Sequence, residues 1–257
     1  MRLSVIIPAY NDLAAALNCL NSLQALASRR VEIEFLVQDD NSPNVLFQAV
    51  IPQIVASVER NPINLGFAGN VNRAAQRATG DYLFIVNQDV FGVPGWSEHW
   101  DIALLNTFIC NPQVGIVAPR LLFPNGSIQS AGGLIDAGLA PYHRCLGYSN
   151  PHTPEVSTPR ELAWATGAAL AIRRDVWDKL GGFDARYRMY FEDAALCLRA
   201  RELGYLVQYQ PACTLIHSVG STGGSPHFGA SARLFKSEWV DTGKLKPDTA
   251  GQFVKYW

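Results

Sequence analysis

The chain has 257 residues, of which 48% are hydrophobic and 17% charged, with 21 Lys and Arg against 22 Asp and Glu. That length fits one large α/β domain, or one domain with an appended tail, and the apolar share is enough to bury a sizeable core. A net charge near zero argues against a general nucleic-acid binder, which needs a basic face to neutralise phosphates.

Leu3-Ser-Val-Ile-Ile-Pro8 reads as a short, fully buried strand ended by proline. Pro8 also cuts this apolar stretch far short of a signal h-region. No apolar run approaches the ~20 residues that span a bilayer. The expectation is a cytosolic chain, touching at most the inner face of a membrane to reach a lipid-linked substrate. Asp12 is placed to cap a helix over 13–26, with Leu13, Leu17, Leu20 and Leu23 at helical spacing. Val31 to Val37 predicts a second strand, closing on Asp39 and Asp40. A helix is expected over 43–58, interrupted near Pro52.

Asn64 to Asn70 opens a helix running to about Ala78, with Gly80 as its stop. Tyr82 to Val86 is a strand that delivers Asn87-Gln88-Asp89 at its C-terminal end. Pro94 is expected in the first turn of a helix to Cys110, followed by a strand over 114–118. This βαβα alternation predicts a largely parallel sheet covered by helices, in which ligands bind beyond the carboxyl ends of the strands. Both acidic clusters fall at such ends.

Phe123 to Ser127 is a turn leading into a hairpin-like stretch through Ala140, and 141–159 reads as a mobile loop near the site. Leu162 to Ile172 is strand-like, Arg174 to Leu180 a short helix ended by Gly181 and Gly182, and Glu192 to Leu203 a helix stopped by Gly204. Short strands are expected over 206–209 and 214–216. Beyond Ser221 a Gly/Ser-rich loop leads to a weakly specified tail. The five cysteines form no CxxC pair, and Cys19, Cys110 and Cys197 in apolar helical contexts read as buried reduced thiols.

Four groups could carry chemistry. Asp39 and Asp40 could accept from a nucleobase N–H or a ribose hydroxyl, or could serve as an Asx turn and helix cap. Asp89 could hold a divalent cation whose remaining ligands are phosphate and water, or could cap a loop. Glu192 and Asp193 could include a general base, or could favour the helix N-terminus electrostatically. His217 stands before Ser218-Val-Gly-Ser-Thr-Gly-Gly224, a loop whose amides could approach phosphate oxygens; the other four histidines have no comparable setting.

Taken in order, Ser4-Val-Ile-Ile-Pro-Ala-Tyr-Asn11, Asp39-Asp-Asn-Ser42, Asn64-Leu-Gly-Phe67 with Asn72, Asn87-Gln-Asp89, Gly167 to Arg173, Gly181-Gly-Phe-Asp184 and Phe191-Glu-Asp193 with Leu196-Cys-Leu-Arg199 strongly resemble glycosyltransferase family 2. Within it the chain looks most like the bacterial rhamnosyltransferase-type branch, over residues 3 to about 220. The resemblance implies a GT-A fold of class α/β, with a nucleotide-binding half over 1–118, an acceptor-side half over 119–220, and a tail over 221–257 packed on the same domain.

It also implies an inverting transfer from a nucleotide-diphosphate sugar, a dTDP- or UDP-sugar first and rhamnose among the sugars in view. The acceptor would be a glycan or lipid-linked hydroxyl, as in O-antigen or other surface polysaccharide synthesis. By position, Pro8, Ala9, Tyr10, Asp39, Asp40, Asn72 and Gln88 would bind the nucleotide. Asp89 and His217 would hold Mg²⁺ or Mn²⁺, Asp193 would be the base, and Trp164, Gly167 and Glu192 would meet sugar and acceptor. Two positions depart from the pattern. Asn87 replaces the first carboxylate of the DxD-like triplet, and Glu192-Asp193-Ala194-Ala195-Leu196 lacks the second acid of EDxDL. The alternatives are a non-catalytic sugar-nucleotide-binding module and a nucleotidyltransferase. The Pro8-Ala-Tyr-Asn11 turn lacks the Gly-rich basic loop the latter needs for a triphosphate.

Overall fold

The computed structural model describes residues 1–43, 56–218 and 226–245. The helix expected over 43–58 falls largely on 44–55, outside the described residues, as does most of the Gly-rich loop after His217. Ser57–Arg60, in place of the end of that helix, is a strand, β3.

Strands β1 (Arg2–Ala9), β2 (Glu32–Asp39), β3 and β4 (Tyr82–Val86) are mutually parallel. Helix α1 (Leu13–Leu26) joins the first two, and Asp12 Oδ1 accepts the Ala15 amide at its N-terminus. Helix α2 (Gly66–Ala75) and helix α3 (Trp100–Cys110) follow. Strands β6 (Val114–Leu122), β11 (Ala169–Arg173) and β12 (Leu206–His217) extend the sheet. Among the described residues its order is β10-β12-β6-β11-β4-β1-β2-β3, with β10 spanning Arg160–Leu162. β11 runs antiparallel to both neighbours, so the sheet is mixed but mostly parallel. The buried strands are apolar on both faces, as a helix-covered sheet requires. Two clusters of buried side chains form the two layers of core.

Several local readings are corrected by the backbone. Pro94 lies outside the helix, because Gly95 (φ 87°) and His99 (φ 56°) are left-handed and a turn closed by Ser97 precedes Trp100. Leu162 to Ile172 is not one strand. Residues 163–168 leave the sheet between β10 and β11, where Trp164 bridges to Gly133 and Thr166 closes a turn onto Ala169. The two short strands expected over 206–216 are one 12-residue strand, irregular between Gln210 and Thr214 around Pro211. The 141–159 stretch carries structure of its own. Pro141–His143 (β9) pairs with Gly133–Ile135 (β8), and Pro154–Ser157 is a short helix, α4. Cys110 is exposed, whereas Cys19, Cys197 and Cys213 are buried.

After α5 (Arg174–Leu180) and α6 (Glu192–Glu202) the chain ends its described part in helix α7 (Phe228–Phe235) and a π-turn over Lys236–Val240. Phe235, Trp239 and Leu245 from this segment are buried in the core. No described helix is long and apolar enough to cross a membrane.

Candidate active site

A cavity of about 390 Å³ opens beyond the carboxyl end of β4. Asn87 and Asp89 line it from the β4 exit, Trp164 and Gly167 from the 163–168 turn, Glu192 and Asp193 from the start of α6, and His217 from the end of β12. Tyr190, Phe191 and Phe228 supply an aromatic side.

Asp89 and His217 meet because strand β5 (Val90–Phe91) pairs with the end of β12, setting Val90 opposite His217. His217 Nε2 is 3.2 Å from Asp89 Oδ1. Its Nδ1 is 2.7 Å from Gln129 Oε1, on β7 (Ile128–Ser130). Because that oxygen can only accept, Nδ1 donates to it, which turns Nε2 towards the carboxylate. A ring nitrogen and a carboxylate at this distance suit a shared proton or cation. Asn87 lines the same cavity, and its Oδ1 is buried without a hydrogen bond. Two ligands with outer support and an orphaned amide oxygen fit a divalent cation completed by phosphate and water. Among the described residues no three His, Cys, Asp or Glu side chains form a closed metal cluster.

Asp193 opens α6 after two left-handed residues, Tyr190 (φ 71°) and Phe191 (φ 68°). Such backbone is strained for bulky side chains and is held by its surroundings. The surroundings here are the C-terminal segment. Phe228 packs on Tyr190 and Phe191, Ser231 Oγ donates to Met189 O at 2.7 Å, and Tyr187 donates to Glu238 at 2.9 Å. Asp193 Oδ2 accepts the Gly167 amide at 2.8 Å and Oδ1 the Ala194 amide at 2.7 Å. Burial raises the Asp193 pKa above the ordinary carboxylate value, and these amides hold the rise back. Burial, then the charge of Asp193, push Glu192 well above its ordinary value; its Oε2 is buried without a partner.

The residues expected around the nucleotide divide. Tyr10 is exposed, and Gln88 clamps it, accepting its amide and donating to its carbonyl, each at 2.9 Å. Gln88 therefore joins the exits of β1 and β4. Pro8 and Ala9 are buried in β1, immediately before Tyr10. Asp39 accepts from Ser42 and pairs with Arg60 at 3.0 Å. Asp40 accepts from the amides of Leu65 and Gly66 at the N-terminus of α2, and from Asn61. The turn and cap roles are those the structure gives these two carboxylates. The Asn72 amide oxygen and nitrogen both bond the Phe183 backbone, tying α2 to the loop before α6.

One cavity residue was not singled out in the sequence. His143 lines the cavity, packs tilted against Trp164 with ring centroids 5.1 Å apart, and has Nδ1 3.1 Å from Ser130 Oγ. Burial and then the neighbouring His217 lower its pKa to about 4. Its signal was hidden because β8 and β9 contribute only three residues each, too short for periodicity to register.

The sheet thus sets a carboxylate and a histidine near strand ends, facing a second carboxylate on a helix across the cavity. The family model for Glycosyl transferase family 2 matches residues 4–117. The chain is 30% identical over 234 residues to the N-acetylglucosaminyl-diphospho-decaprenol L-rhamnosyltransferase of Mycobacterium tuberculosis, covering 80% of this chain and 73% of that protein. It is also 30% identical over 229 residues to the O-antigen biosynthesis protein RfbC of Myxococcus xanthus, covering 84% of this chain but only 17% of that larger protein. The crystal structure of GalNAc-T7 with UDP, GalNAc and Mn²⁺ superposes with a TM-score of 0.74 at 17% identity, over 94% of this chain and 49% of that one. The chain belongs to glycosyltransferase family 2, and its fold is the GT-A fold expected from the sequence.

Proposed function

We propose that the chain transfers a sugar from a nucleoside diphosphate to a hydroxyl of a glycan or lipid-linked acceptor, inverting the anomeric carbon. The observation that carries this reading is the shared cavity: Asp193 on one wall, Asp89 and His217 on another. The Mycobacterium tuberculosis relative is named for moving L-rhamnose onto a diphospho-decaprenol acceptor. That favours a dTDP- or UDP-sugar, rhamnose first, and a reaction at the cytosolic face of a membrane.

In this reading Asp193 removes the proton from the acceptor hydroxyl as that oxygen attacks the anomeric carbon. The Gly167 and Ala194 amides fix the carboxylate and keep its basicity moderate. One carboxylate suffices, because a diphosphate leaves as an anion, unlike the alkoxide of a glycosidase substrate. Asp89 and His217, with Asn87 beside them, would hold Mg²⁺ or Mn²⁺, which supplies Lewis-acid stabilisation of the departing diphosphate. Tyr10, following the buried Pro8 and Ala9 and clamped by Gln88, would face the nucleoside. Trp164, Gly167 and Glu192 would border the sugar.

The test is transfer from dTDP-rhamnose, UDP-glucose and GDP-mannose to N-acetylglucosaminyl-diphospho-lipid, with the product anomer read by NMR. Transfer with inversion supports the proposal. Transfer with retention, or binding of donor with no transfer to any acceptor offered, overturns it.

A further inference from the structure

Strand β7 holds two cavity histidines by the same ring atom: Gln129 by His217 Nδ1 and Ser130 by His143 Nδ1. Ser130 Oγ has two neighbours, Gly132 O at 3.3 Å and His143 Nδ1 at 3.1 Å. A carbonyl can only accept, so the arrangement that makes both contacts hydrogen bonds has the hydroxyl donating to Gly132 O. Ser130 Oγ is then the acceptor for His143 Nδ1–H. A neutral imidazole carries one N–H, so Nε2 is left with a lone pair. Among the described residues that atom has no hydrogen bond, and the residue lines the cavity.

The ring is also fixed in place. It packs on Trp164, whose Nε1 donates to Leu134 O at 2.8 Å. The indole lies so close over Gly133 that an added Cβ would come within 2.2 Å of it. Hairpin β8–β9 and Trp164 thus form one rigid wall with an aromatic surface and one polar atom. Saccharide sites combine such elements, an apolar surface for ring C–H groups and a few placed hydrogen-bonding atoms for hydroxyls.

We propose that His143 is a saccharide-binding residue, its Nε2 accepting a hydrogen bond from a sugar hydroxyl seated against Trp164. The inference rests on the glycosyltransferase reading and names a contact within it. A lone pair selects a hydroxyl and rejects an ionised phosphate oxygen, which has no hydrogen to donate. The contact therefore belongs to a sugar and not to the diphosphate. The transferred sugar of the donor and the terminal sugar of the acceptor share this chemistry.

The experiment uses His143→Phe, which keeps a ring against Trp164 and removes Nε2, and His143→Gln, which keeps an acceptor oxygen. Calorimetry with wild type first identifies which of dTDP, UDP and GDP binds best. The variants are then measured with that nucleotide and with its sugar derivative, and KM is measured for N-acetylglucosaminyl-diphospho-lipid. The proposal predicts unchanged affinity for the bare nucleotide and a loss of about tenfold in one place only, the size of one good hydrogen bond. Loss in the nucleotide-sugar affinity places the contact on the donor; a rise in acceptor KM larger than any fall in kcat places it on the acceptor. His143→Gln recovers part of either loss. Equal weakening of bare nucleotide, or no change in either arm with the fold intact by circular dichroism, overturns the proposal. Wild type that binds none of the three nucleotides overturns the glycosyltransferase reading itself.

Discussion

Asp193 Oδ2 accepts the backbone amide of Gly167 at 2.8 Å, so the first turn of α6 and the turn between β10 and β11 meet at one oxygen. The contact leaves little room beside residue 167. A Cβ there would lie 3.1 Å from the Phe67 ring and 3.4 Å from Asp193 Cβ. It also sets the aim of the carboxylate on which the proposed chemistry depends.

Asp193→Asn keeps the shape and removes the basicity. It lowers kcat by roughly 10²–10⁴-fold, the range for general-base catalysis, with donor affinity within a few fold of wild type. Steady-state kinetics and donor calorimetry on the same preparation check both halves. Because burial raises the Asp193 pKa, the rate of wild type climbs with pH through a value above the ordinary carboxylate range, and this acid limb disappears in the variant.

Gln129→Leu leaves Asp89 and His217 in place and removes the acceptor that fixes the His217 ring. Loss of such an outer partner weakens metal affinity by about 10–100-fold. Mn²⁺ titration in the presence of the bound nucleotide measures it. Unchanged Mn²⁺ affinity would show that His217 is not oriented through Gln129.

Glu192 affects stability in the direction opposite to a salt-bridged carboxylate. Its folded pKa is raised by burial and by Asp193, so above the unfolded value of about 4.3 the folded chain keeps a proton the unfolded chain has released. Stability is full below that pH and is lost as pH rises through the folded value. Glu192→Gln removes this dependence, so the variant gains Tm relative to wild type as pH increases and the two converge below about pH 4. Thermal melts across that range test it; a gap that widens towards acid would contradict the assignment.

Gly133→Ala drives a methyl into the Trp164 indole, where an ideal Cβ sits 2.2 Å from the ring. Overpacking of this kind costs about 1–3 kcal/mol, read from the shift in a denaturant midpoint. Because Trp164 also carries the wall of the cavity, the same variant weakens nucleotide-sugar binding more than binding of the bare nucleotide.

Much of this was legible in the sequence. The apolar strands at 3–8 and 82–86, the Asp12 cap and the Gly181 and Gly204 stops are signalled by residues acting on their own neighbours. The ordered motifs contained Asp89 and Asp193, and the resemblance they carry implied a role for His217, before any geometry did. What stayed hidden depended on distant partners. Asn72 and Gln88 carry polar amides at motif positions, yet the structure uses them to tie segments together. Asp40 caps a helix that begins 26 residues later. The wall of His143 and Trp164 exists only because hairpin β8–β9 folds back on the 163–168 turn. Pro94 misled because a left-handed Gly95 follows it at once.

In the proposed function one cavity binds a nucleotide sugar through Asp89 and His217. The most direct measurement is calorimetry of dTDP-, UDP- and GDP-sugars on wild type and His217→Ala, each with and without Mn²⁺. The account predicts that one nucleotide class binds wild type selectively, that Mn²⁺ tightens it, and that His217→Ala abolishes the tightening while leaving metal-free binding in place. Binding of that donor to wild type with the same affinity in Mn²⁺ and in chelator would contradict it.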